Sequence, residues 1–281
     1  MKPIIQFNDT DELLDIRYDK AFKAVFTQNT PASQGALSDL ISSLIERKVT
    51  VSSIIANEPP VYDIRDRGIR FDIACKTLSG ELVNIEMALD PKSCEPVRLE
   101  YYSGRLFTRQ DVSGAGKNYA DLKEAYQIAI LDKGRYFNDD ALLHTFRYFD
   151  PEHNVSFEGK TRIITVELKK AEQVMEKPIE EIASQEAWAA FFRYLTDRGK
   201  RAKINEIVQR EEGIAMASEV LIEITRDDIE WARQLSEERD ILAYQSDMVT
   251  AKREGRQEVA KNMKANGISN EMIGQCTGLS P

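Results

Sequence analysis

The chain is poor in the residues that build thiolate, disulfide or imidazole chemistry. Its 281 residues include three cysteines and two histidines. Cys75, Cys94 and Cys276 are odd in number, far apart and without a neighbouring His. Neither a disulfide framework nor a zinc site is expected, and the thiols read as reduced, as in a cytoplasmic protein. No Ser or Cys is placed to use His144 or His153 as a base, so acyl-transfer chemistry has no support. No run approaches the roughly 20 apolar residues needed to cross a bilayer, and no membrane partner is expected. The opening MKPIIQFNDTDE turns acidic before an apolar segment of signal-peptide length develops, so secretion is not expected either. The glycine pair in SGAG at 113–116 lacks the strand–turn–helix setting of a phosphate-cradling loop. Internal repeats and low-complexity tracts are missing too.

What is present is ordinary globular composition. Hydrophobic residues at 42% and charged residues at 30% exclude a disordered or fibrous chain. A chain of this length buries about 75% of its unfolded surface. The net charge of −9 is unevenly spread: between Asn205 and Asp240 eleven acids accompany four arginines. The first half is closer to balance and has no strong basic stripe. Charge alone therefore neither demands nor excludes a nucleic-acid partner there.

Hydrophobic spacing divides the chain. Phe22, Val25 and Phe26 share one face of a helix over 17–27. Leu37, Leu40, Ile41, Leu44 and Ile45 define a second helix over 35–48, followed by a linker at Pro59 and Pro60. Residues 69–89 alternate with period two around a break at 78–81, the signature of a β-hairpin. A helix over 97–112 is interrupted by Gly114 and Gly116; 119–126 is a short helix or loop. Two apolar runs, 127–132 and 162–168, have strand length. Beyond Glu172 helix formers dominate. Trp188, Phe191, Phe192 and Tyr194 read as helix-packing core, and the cations from Arg193 to Lys203 as a solvated turn with phosphate binding the alternative. Residues 203–262 form one or two long charged helices, and 267–281 a short helix between turns. The expected organisation is a core at 10–170 and a helical region at 171–281. That region is a candidate for self-association into a homo-oligomer, although sustained heptads are lacking.

The hairpin carries the candidate chemistry. Odd positions (Ile69, Phe71, Ile73, Cys75; Val83, Ile85, Met87, Leu89) are apolar. Even positions (Arg70, Asp72, Ala74, Lys76; Asn84, Glu86, Ala88) are polar or small. Alternation puts each set on its own face. The turn pairs residues whose numbers sum to about 158–160, which sets Asp72 opposite Glu86 or Ala88. Two carboxylates on one face, one cross-strand pair apart, suit a hard divalent cation. A solvated polar face is the plainer alternative, but Ala74 and Ala88 fit a face that is partly covered. Arg98, Arg105 and Arg109, with Tyr101 and Tyr102, lie on or near one face of the following helix. They are candidates to grip phosphates and stack on bases, or simply surface residues paired with Glu95 and Glu100.

Several segments in order resemble the PD-(D/E)XK nuclease-type transposases, the recombination-promoting nucleases. FDIACKTLSGELVNIEMAL resembles the core hairpin. YDKAFKAVF resembles the Asp-x-x-Phe-Lys-x-x-Phe opening, here Asp19, Phe22, Lys23 and Phe26. VRLEYYSGRLFTRQ resembles an Arg-x-x-x-Tyr block with a downstream Gln, here Arg98, Tyr101, Tyr102 and Gln110. YADLKEAYQIAIL resembles a Tyr-x-x-Leu stretch leading into a core strand. EVAKNMKANGISNEMIGQCTGLS resembles the closing helical module, which also looks like half of a helix-turn-helix cut short at Ser280-Pro281.

The resemblance implies an α/β, restriction-endonuclease-like mixed sheet flanked by helices, with a helical C-terminal region, acting as a DNA endonuclease. It implies a divalent cation (Mg²⁺, or Mn²⁺ or Ca²⁺) held by Asp72 and Glu86. Asp19 matches an acid that holds a water or a second ion. Candidate DNA contacts are Lys23, Arg98, Tyr102, Arg105 and Gln110. The third motif position departs from the pattern: Ala88 stands where the family has Gln or Lys. A weakened or dead nuclease, a chain altered to disarm it, or replacement by Lys76 on the same face are the three readings. Impaired catalysis with metal binding retained is the expectation, and a non-catalytic binding protein the alternative.

Overall fold

The computed structural model describes residues 5–55, 70–92, 95–110, 112, 118–133, 136–226 and 248–278. Pro59, Pro60, Ile69, Cys94, Gly114, Gly116, residues 227–247 and Ser280-Pro281 lie outside the described residues. The chain forms two compact units, Met1–Arg226 and Asp227–Pro281.

The first unit is built on a six-stranded mixed sheet, β1 (Val51–Ile54), β2 (Ile73–Thr77), β3 (Leu82–Ala88), β4 (Ala125–Leu131), β5 (Leu143–Phe146) and β8 (Thr161–Glu167). The spatial order is β1-β2-β3-β4-β8-β5. β3, β4 and β8 run parallel at the centre, and the flanking pairs are antiparallel. A two-stranded ribbon, β6 (Phe149–Asp150) and β7 (Val155–Ser156), stands apart from it. The central strands explain their own sequence. β4, read as an apolar run, is buried at every residue, as expected of a parallel strand covered on both faces. The restriction-endonuclease-like α/β architecture is thus present, with helices packed about the sheet.

α1 (Asp19–Phe26) and α2 (Pro31–Leu44) precede the sheet, and α3 (Glu95–Phe107) connects β3 to β4. α2 begins four residues before the expected helix because Thr30 caps it, its hydroxyl accepting from the Ser33 N–H, with Pro31 in the first turn. α3 lies on the sheet, against β3, β4 and β8. α4 (Ser184–Tyr194), α5 (Arg201–Arg210) and α6 (Glu212–Arg226) complete the unit.

The expected division at 170 falls inside this compact unit. Trp188 and Phe192 of α4 pack on Phe22 and Phe26 of α1 through tilted and edge-on ring contacts at 5.8–6.2 Å. The aromatic cluster is core, as its spacing implied. Of the cations after it, Arg198 and Lys200 lie exposed in a turn, as expected, whereas Arg193 pairs with Asp132 and buried Arg201 donates to the carbonyls of Asn8 and Asp11. Of the one or two long charged helices expected over 203–262, the described part up to Arg226 is two, α5 and α6, which meet at Glu211.

In the second unit a helix over 248–265, α7, turns at Gly267 (φ 79°) into α8 (Asn270–Thr277). Ser269 caps α8, and Gly278 ends it in the left-handed conformation.

α2 and α6 approach closely at glycines. A Cβ at Gly213 would lie 2.2 Å from Asp39 Cγ, and Asp39 accepts from Trp188 Nε1 at 2.9 Å. The side chain of Asp39 is therefore not free to retreat. Gly213→Ala is expected to lower stability by about 1–3 kcal/mol despite the better helix propensity of Ala. Thermal unfolding checks this; an unchanged or raised Tm refutes the close packing.

Candidate active site: a buried carboxylate pair

β2 and β3 pair with residue numbers summing to 158, from Ile73↔Ile85 to Lys76↔Leu82. The same register sets Asp72 beside Glu86, not Ala88, and the hydrogen bonds agree. Asp72 N–H donates to Glu86 Oε1 at 3.3 Å, and Met87 N–H donates to Asp72 Oδ2 at 3.1 Å. The face is not open to water. Asn84 and Glu86 are buried, and α3 lies over it. Parity fails at one residue: Phe71 sits outside β2 and packs with Ala74, Leu82 and Leu106, on the side of the even-numbered set.

Each carboxylate has its own partners. Lys23 Nζ on α1 lies 3.4 Å from Asp72 Oδ1 and 2.5 Å from Asp19 Oδ1. Asp19 is thereby brought to the pair through Lys23, with its own side chain largely exposed. Arg98 Nη1 lies 3.3 Å from Glu86 Oε2, while its other nitrogens hold Glu95 and its plane covers the Tyr102 ring. Burial raises the carboxyl pKa of Asp72; Lys23 opposes the rise and the charge of Asp19 adds to it. Burial and then the charge of Asp72 push Glu86 up to about 7, against the hydrogen bond from Asn84 and the charge of Arg98.

The remaining candidates are distributed differently. Tyr102 packs edge-on against Phe71 at 5.7 Å, so its ring is engaged in the core rather than offered to a base. Gln110 is occupied as well: its amide donates to the Lys123 carbonyl and accepts from the Lys123 N–H, stapling the loop before β4. Arg105 stays on α3 with its Nε buried. Ala88 packs in an apolar cluster with Leu99, Ala129 and Leu131. Lys76 is exposed and opposite Leu82, beside the turn and two cross-strand pairs from Asp72, too far to replace the missing side chain.

Two residues of the site were not singled out from sequence. Asn84 Nδ2 donates to Glu86 Oε1 at 2.8 Å and to Gln127 Oε1 at 3.0 Å. Both amides are fully buried, forming a polar rung between β3 and β4 behind the carboxylates. The available signal was Gln127 itself, the one amide at the head of an apolar strand.

A parallel-centred mixed sheet flanked by helices, with a half-buried Asp72 set beside buried Glu86, is the architecture of a nuclease-type α/β protein. The chain belongs to the PD-(D/E)XK nuclease family transposases, whose family model matches residues 16–254. No curated protein and no solved structure matches it. Among the described residues no helix is long and apolar enough to cross a membrane.

The donor set fits a divalent cation. Two desolvated carboxylates offer hard oxygen ligands, with Lys23 and Arg98 meeting part of their charge. Among the described residues no group of three or more His, Cys, Asp or Glu is gathered to hold a metal. Such an ion would rest on Asp72 and Glu86 and keep several waters, as Mg²⁺ does.

Folding lifts the pKa of Glu86 from 4.5 to about 7, so the folded state holds the extra proton between those values. Stability is therefore greatest at the acid end and falls as pH rises through this window, by about 1.4 kcal/mol per unit of displacement. In metal-free buffer, Glu86→Gln is expected to flatten the fall measured by denaturant unfolding. Asn84→Ala removes a donor to the charged form, and its cost of about 1–3 kcal/mol is expected to be larger at about pH 8 than at about pH 5. An unaltered pH profile in Glu86→Gln contradicts the assignment.

Proposed function

We propose that this chain is a divalent-metal-dependent DNA endonuclease of the transposase-associated type, weakened at the step that Ala88 no longer serves. The observation that carries the reading is the contact between the Asp72 amide and the Glu86 carboxylate. It sets two acids side by side at the end of the central strands.

In this reading Asp72 and Glu86 hold the cation, which polarises the scissile phosphate and lowers the pKa of an attacking water. Asn84 and the Met87 amide keep the two carboxylates aimed. Lys23 and Arg98 balance their charge before substrate arrives and supply cations beside a phosphate once it does. Asp19 holds Lys23 in place or accepts a hydrogen bond from water. Arg105 extends the basic face of α3. Tyr102 and Gln110, being engaged in packing and loop anchoring, are left out of the DNA contacts. The helical second unit is proposed as an accessory or self-association module.

The second reading, a DNA- or protein-binding member without catalysis, is favoured by Ala88. Its methyl can neither orient a water nor stabilise a pentavalent phosphate, and the residues around it are apolar. Loss of one such group commonly costs 10²–10³ in rate.

Plasmid nicking with Mg²⁺ or Mn²⁺ separates the two. Ala88→Gln is expected to cut about 10²–10³ faster than the parent chain, and Asp72→Ala in that background to cut nothing. Equal cutting by the parent and Ala88→Gln rules out the weakened-site reading. No cutting by either form favours the binding protein.

A further inference from the structure

α3, the far flank of the sheet and the residues flanking the β6–β7 ribbon border a cavity of about 770 Å³, within the ~300–1,000 Å³ usual for small-ligand sites. Its sides are rings: Phe137, Phe146, Tyr148 and Phe157. Three of them stand in water, with Phe146 40%, Tyr148 55% and Phe157 73% exposed. Rings gathered at the surface in this way mark a binding site more often than a core. Thr165, 2% exposed, lies at the floor of the cavity.

The cavity belongs to the same face as the carboxylates. Glu86 pairs with Ala129, and Ala129 with Thr165. At ~4.8 Å per strand, Thr165 stands roughly 10 Å across the sheet from Glu86. α3 serves both places, reaching Glu86 through Arg98 and bordering the cavity at Gly104. The wall is held in advance: buried Glu167 accepts from the N–H groups of Tyr136 and Phe137 and is paired with Lys170. Of the charged residues around the cavity, Arg147 and Lys160 outnumber Glu100, a balance suited to a polyanion.

We propose that this cleft takes a nucleobase turned out of the DNA strand held at Asp72 and Glu86, stacked against the aromatic walls. A nucleotide supplies both a flat π-face for the rings and a phosphate for Arg147 and Lys160. The proposal rests on the DNA reading of the carboxylate site.

The test compares two single strands of equal length, a thymidine oligonucleotide and its fully abasic counterpart, with a duplex as reference. Binding to the full chain is followed by fluorescence anisotropy without added divalent ion. Two substitutions probe the cleft. A Cβ at Gly104 meets nothing within 4 Å, so Gly104→Leu can enter at the border of the cleft, and Phe157→Ala removes an exposed ring. Both variants are expected to keep the parent Tm. The parent chain is expected to prefer thymidine over the abasic strand by about tenfold or more. Both substitutions are expected to erase that preference while leaving abasic affinity unchanged. Equal affinity of the parent for both strands, a preference that survives both substitutions, or binding of duplex alone overturns the cleft and leaves the DNA reading intact. No binding to any of the three overturns the DNA reading and the cleft together.

Discussion

Two carboxylates of like charge, buried side by side beneath a helix, set the terms for everything around them. Glu86 is buried and Asp72 keeps only a fifth of its side chain in water; burial raises the proton affinity of both, and the charge of Asp72 adds to that of Glu86. Such a pair persists only where other elements supply counter-charge and hydrogen bonds. Here they come from four places: Lys23 on α1, the Met87 amide and Asn84 on β3, and Arg98 on α3. The folding of α1 against α4 and α6, remote from the acids, is therefore part of the site, because it fixes where Lys23 stands. Removing one partner would leave a buried charge uncompensated, which is more damaging than losing the attraction itself.

The hairpin was legible because a two-residue period and a short turn together determine both face and register. Those two facts bring Asp72 opposite Glu86 or Ala88 without any knowledge of the rest of the chain, and the register of β2 on β3 selects Glu86. Alternation cannot say what covers a face, however. The even positions looked like a surface that was partly solvated, and only the crossover helix α3 turns them into an interior. Asn84 and Gln127 were unreadable as a pair for the same reason. Their contact depends on the parallel register of β3 and β4, 43 residues apart in sequence and set by packing rather than by a turn. Phe71 shows the limit from the other side, since alternation ends where the strand does.

The elements that escaped notice are short and polar. β1 has two serines in four residues, and β5 lies in a stretch rich in aromatics and charge. Edge strands need only one buried face and carry little periodic signal. The boundary near 170 reflected a real change in composition, from β-rich to helix-rich sequence. Composition, though, does not report packing. Trp188 and Phe192 complete the core that Phe22 and Phe26 begin, so the helices after the boundary are as much part of the first unit as those before it.

Ala88 bears on all of this because the strand end does not depend on its side chain. The Ala88 carbonyl accepts from the Asp132 N–H at 2.9 Å, and the Asp132 carboxylate is gripped by Arg17 and Arg193. That network anchors β3 to β4 through backbone and buried ion pairs on the neighbouring strand. The positions of Glu86 and of the Met87 amide that holds Asp72 are set by the same stretch of backbone. A side chain can therefore be lost at 88 without loosening either carboxylate. On the proposed assignment, the side chain at position 88 and the placement of Asp72 and Glu86 are separable, because the backbone and not the Ala88 side chain sets where the two carboxylates stand.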